Sequence, residues 1–159
     1  MTKEKRSAFT KRITQANKSE IIVILFEIFF TYMEDAKCAL TGEKDYTAAN
    51  NALRHASMVL EHLKSALDFK YEIANQLFPL YVFGQKEIAR TMYLAEVERI
   101  DEVEKIIRPL QEAFIEVAKQ DTTDTVMQNT QKMVAGYTYG RSDVNETMAD
   151  INPSRGFFA

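Results

Sequence analysis

The chain has 159 residues, of which 46% are hydrophobic and 27% charged, with a net charge of −3. That is enough apolar material for one ordinary domain with a real core, and no chain-wide positive field recruits nucleic acid. The single cysteine, Cys38, excludes an internal disulfide framework and suits a reducing cytosol.

Residues 1–17 read as a basic N-terminal arm. Six cations, from Lys3 to Lys18, stand against one acid, Glu4, and Phe9 and Ile13 are the apolar anchors. The arm is either a solvated basic segment or one whose anchors dock on the rest of the domain and release from it. Asn17 with Glu20 then spells a capping box, which predicts a first long helix to about Leu40, with Thr41-Gly42 ending it. It contains IIVILFEIFF (21–30), nine of ten residues apolar. A membrane span needs about 20 apolar residues, and Glu27, Glu34, Asp35 and Lys37 come too soon. The stretch predicts a helix that must be covered on more than one side, with no membrane insertion.

A second helix fits Asp45 to about Leu67, with Ala49, Ala52, Leu53, Ala56, Val59, Leu60, Leu63 and Leu67 in one stripe. A third fits Tyr71 to Leu94, with Ile73, Leu77, Leu80, Tyr81, Gly84, Ile88 and Met92 in phase, and a fourth fits Ile100 to Lys119, with Val103, Ile106, Ile107, Leu110, Phe114 and Val117. Pro79 and Pro109 fall inside the last two; each removes a helical hydrogen bond and favours either the ordinary curvature of a bundle helix or a kink that opens a groove, and Gly84 adds flexibility beside the first. Short links favour antiparallel neighbours. The expected fold is all-α, an antiparallel up-and-down four-helix bundle over 18–119, with the arm before it and a polar tail, 120–159, after it. The tail reads as flexible or docked on the bundle. Its scattered anchors Val126, Met133, Val134, Tyr137 and Tyr139 give it the look of a built-in competitor for whatever the bundle binds.

Chemistry-bearing motifs are few. A di-iron bundle needs Glu-x-x-His, and Ala52 and Val59 stand three residues before His55 and His62. The two histidines are seven residues apart, about 10 Å along a helix, too far to share one metal comfortably. Histidine phosphotransfer domains resemble His-x-x-Lys-Gly, whereas Lys64 follows His62 by two and no Gly follows. Cys38 has no evident base, and no Gly-rich phosphate loop occurs. No cofactor, metal or catalytic residue is expected.

The order and spacing of several short motifs resemble the flagellar secretion chaperone family FliS over about Phe9 to Lys119. In QANKSEIIVILFE, Ala16, Asn17 and Glu20 match the family's Thr-Ala-Ser-Pro-x-Glu-Leu-type opening, and Leu25-Phe26-Glu27 stands where Leu-Tyr-Asp is usual. SALD carries Leu67-Asp68; EIANQLFPLY carries Ile73, Ala74, Leu77, Leu80 and Tyr81; Glu102-Val103 matches a signature of the last helix. Phe26 and Phe114 replace a Tyr and a Trp, Ile28 replaces a frequent Gly, Thr91-Met92 replaces Ala-Asn, Phe9 stands near an expected N-terminal Tyr, and the long tail departs from the pattern. The resemblance implies a non-enzymatic chaperone of the bacterial cytosol, monomer or homodimer. It would bind the disordered C-terminal segment of flagellin, prevent early polymerisation and deliver it to the flagellar export gate. Implied groove residues are Leu25, Phe26, Leu60, Leu67, Leu77, Leu80, Tyr81 and Phe114, with Phe9 and Ile13 on the arm. A helical adaptor for another secretion or signalling partner carries the same pattern, and a phosphotransfer bundle is the more distant alternative.

Overall fold

Every element expected to be helical is helical, and one more helix stands before them. The computed structural model describes residues 1–42 and 44–127. It contains α1 (Lys3–Gln15), α2 (Lys18–Thr41), α3 (Tyr46–Ser65), α4 (Glu72–Leu94) and α5 (Glu98–Gln120), and no strand among the described residues. The Asn17 side chain accepts from the Glu20 backbone N–H, and the Glu20 carboxylate accepts from the Asn17 N–H, so α2 starts on the capping box. Asp45 caps α3 by accepting from Ala48 N–H. α4 ends at Ala95, which adopts the left-handed conformation at φ 57°.

The arm folds as a helix, α1, which the sequence reading did not specify. Thr2 caps it by accepting from Lys5 N–H. Its Lys, Glu, Arg and Ala content suits a helix, but it carries no apolar stripe and buries no residue. Short isolated helices are marginal in water, so α1 depends on what it lies against. That is α2 alone. Arg12 forms a two-pronged ion pair with Glu27, and the Met1 amine meets the Asp35 carboxylate, so the two helices run in opposite directions.

α2 also packs on α3 and α5, and α4 packs on α3 and α5. Lys37 pairs with Asp101 and Ser19 with Asp121, which makes α2 and α5 antiparallel. Arg108 of α5 lies over the Phe30 ring of α2, 4.4 Å from its centre. None of residues 21–30 is fully exposed, because α1, α3 and α5 each cover part of α2. The core is continuous through Phe26, Phe29, Met33, Leu53, Leu60, Tyr81, Ile88, Ile100, Val103 and Ile107. Each large apolar side chain fully buried there contributes roughly 1.5–3 kcal/mol.

α4 and α5 continue through Pro79 and Pro109. Gly84 is a point of close approach. It is buried, and a Cβ placed on it would lie 2.8 Å from Leu60 Cδ1, 3.7 Å from Val103 Cγ1 and 3.9 Å from Ile107 Cδ1.

Among the described residues one carboxylate is buried. Glu87, on α4, is 3% exposed and holds Arg90 at 2.7 Å and Arg99 at 2.8 Å. Burial pushes its carboxyl upward, but the Arg99 hydrogen bond and the two positive charges outweigh burial and hold it below the ordinary carboxylate range. Arg99 lies on α5, so Glu87 ties the two helices across the turn at Ala95. Glu87→Gln keeps the shape and removes the charge that the arginines face. Its thermal midpoint is expected to fall by roughly 5–10 °C, against a shift within about 2 °C for the exposed neighbour Lys86→Ala. A calorimetric scan of both variants checks this.

Candidate functional site

The eight groove residues implied by the sequence divide into two sets. Phe26, Leu60, Leu77 and Tyr81 are buried in the core and present no surface to a partner. Tyr81 is enclosed enough that burial pushes its hydroxyl up to about 12. Leu25, Leu67, Leu80 and Phe114 are half-buried, and Leu25, Leu67 and Phe114 pack on the outside of that core. The Phe114 ring lies 5.7 Å from that of Phe26, and Phe26 lies 6.5 Å from Tyr81. Phe114 is therefore the outer member of a cluster of tilted aromatic rings whose inner members are closed off.

The half-buried set belongs to the end of the helices where cover thins. All three buried residues of α5, Ile100, Val103 and Ile107, lie in its first half. Beyond Ile107 the stripe continues through Leu110 and Phe114 to Val117, and Val117 is 52% exposed. On α4, Gly84 faces Val103 and Ile107, and Glu87 meets Arg99, so these helices are antiparallel. That register puts Leu80 beside the turn of Leu110, and Ile73, 57% exposed, beside the turn of Phe114 and Val117. An amphipathic stripe continuing past the last buried layer leaves apolar area for another chain to cover.

A second exposed apolar cluster lies at the start of α4. The Phe69 and Phe78 rings meet edge to face at 5.7 Å, with Val82 one turn beyond. The sequence reading did not single out Phe69, Phe78 or Val82. The signal was present in DFKYEIANQLFPLYVF (68–83), whose aromatics exceed what one inward stripe can bury.

Phe9 and Ile13, the arm anchors, are half-buried on α1. A groove of about 420 Å³ opens between the end of α1, the start of α2 and the end of α5. Val23, Ile24 and Ile115 form part of its apolar wall, and Arg12 and Lys119 its cationic rim. Past α5, residues 121–127 return to the α1–α2 link. The Asn17 side-chain amide donates to Asp121 O at 3.2 Å, the Ser19 hydroxyl donates to the Asp121 carboxylate at 2.5 Å, and Val126 N–H donates to Ala16 O at 3.1 Å. The Ser19 hydroxyl, then Thr123, hold the Asp121 carboxyl down at about 2. Of the tail anchors, Val126 is half-exposed, and Met133, Val134, Tyr137 and Tyr139 lie outside the described residues.

The remaining candidates are accounted for locally. His55 stacks on Tyr32 at 4.9 Å, and His62 is exposed near the end of α3. Cys38 is exposed and donates weakly to Glu34, and this contact, with partial desolvation and the nearby negative charges, pushes the thiol up, away from a reactive thiolate. No group of metal-ligating side chains occurs among the described residues, and no described helix is long and apolar enough to cross a membrane.

Comparison with known proteins gives one family. The profile described as "Flagellar protein FliS" matches residues 1–121, which takes in all five helices. No curated protein matches the chain.

Proposed function

Because the chain belongs to the FliS family of flagellar proteins, a family of export chaperones rather than enzymes, we propose that it binds the C-terminal segment of flagellin in the bacterial cytosol. In this reading it keeps the segment from polymerising early and passes it to the flagellar export gate. The observation that carries the proposal is the apolar stripe of α5 continuing beyond the last buried layer, through Phe114 to Val117, beside Leu80 and Ile73 of α4.

An antiparallel bundle of α2 to α5 is the arrangement that the helix contacts support, with α1 as an added helix on α2. Such a bundle suits a client that is disordered before assembly. The client loses conformational freedom on binding and offsets that cost by laying apolar helix faces over a large area. Leu25, Leu67, Leu80 and Phe114 are the proposed contacts, reached from outside. Phe26, Leu60, Leu77 and Tyr81 support them from beneath. Phe9 and Ile13 hold α1 on α2 in the free protein. None of this requires a cofactor or a reacting group.

Titration calorimetry with a peptide covering flagellin's C-terminal segment tests the proposal. Saturable binding near one to one, with a negative heat-capacity change, is expected from apolar burial coupled to ordering. Absence of binding both by the full chain and by a chain lacking residues 1–15 would overturn it in favour of an adaptor for a different partner.

A further inference from the structure

We infer that residues 121–127 are a latch that holds the α1–α2 elbow and thereby fixes α1 on α2. The elbow is two residues long, Ala16 and Asn17, both extended and both nearly buried. Ala16 O accepts from Val126 N–H, the Asn17 side chain donates to Asp121 O, and Ser19, in the first turn of α2, donates to the Asp121 carboxylate. Three successive features of the elbow are thus bonded to one short segment more than a hundred residues away in sequence.

α1 has little else to hold it. Among the described residues it buries no side chain, touches no helix except α2, and relies on the half-buried Phe9 and Ile13, on the Met1 amine against Asp35 just before its first turn, and on Arg12–Glu27, an ion pair partly open to solvent. Exposed pairs of this kind contribute little. A helix attached in this way opens at low free-energy cost, and its orientation follows the backbone angles of its elbow. The strap sets those angles. The family match ends at residue 121, and the Val126 bond lies beyond it. The position of α1 is therefore coupled to the segment that follows α5. The inference concerns α1 alone and is independent of what the protein binds.

Hydrogen exchange on the full chain tests it, with two variants that break the latch differently. Asp121→Ala removes the acceptor for Ser19 and leaves Val126 N–H in place. Val126→Pro removes the N–H that Ala16 O accepts and leaves the Asp121 contacts in place. Both are expected to speed exchange of the α1 amides from Phe9 to Gln15 by tenfold or more, with α3 amides keeping their rates. Unchanged α1 rates in either variant would overturn the latch. So would an acceleration shared equally by α3, because the strap would then be supporting the whole fold.

Discussion

Replacing Ile73 and Val117 together by aspartate is expected to cut affinity for flagellin's C-terminal segment at least a hundredfold and to leave the thermal midpoint within about 2 °C. Both side chains are more than half exposed, so neither supports the core. Ile73 lies in the first turn of α4, where a carboxylate is tolerated well by the helix dipole. In the proposed complex both positions are covered by an apolar client face. A buried unpaired carboxylate there costs far more than the lost apolar contact. The control is Met58→Asp, an exposed apolar position on α3 that the proposed contact does not use. Calorimetric titration of both forms against the same peptide separates the outcomes. Equal affinity in the double variant and its parent would move the client to another face, and the Phe69–Phe78 cluster would be the next surface to alter.

The helices were legible in the sequence because their signals are local and redundant. Asn17 and Glu20 announced the start of α2, and the stripe from Ala49 to Leu63 gave α3 almost to the residue. α1 was not legible. A helix that buries nothing needs no stripe, so its pattern could not be told from a solvated basic arm. The site was legible in part. Periodicity identifies which residues face inward but not where along a helix the cover ends. Phe26 and Phe114 are both inward-facing aromatics in sequence, yet one is closed off and the other stands at the margin. That difference depends on how far α5 runs past the layer of Ile107, which is a tertiary property. The return of residues 121–127 to Ala16 was hidden for a similar reason. Backbone hydrogen bonds between distant segments leave no mark on side-chain periodicity.

Gly84 shows the same limit and carries the second large effect. Gly84→Leu is expected to destabilise the protein by about 3 kcal/mol, with a midpoint roughly 10 °C lower. The site has no room. Leu60, Val103 and Ile107 approach from α3 and α5, and all three are at most 1% exposed. Gly84→Ala separates the two forces at work. Alanine gains up to about 1 kcal/mol of helix propensity over glycine. Its Cβ displaces the Leu60 methyl at 2.8 Å, and that flexible end can turn only within a close-packed interior. The two effects nearly cancel, so the alanine variant is expected within about 1 kcal/mol of the parent. Denaturant titration of Gly84→Leu combined with Leu60→Ala then identifies the clash. Moving volume from α3 to α4 should make the double variant more stable than the sum of the single losses predicts. A strictly additive result would mean that the leucine at 84 collides with Val103 and Ile107 instead, and that α5, not α3, sets how closely α4 can pack.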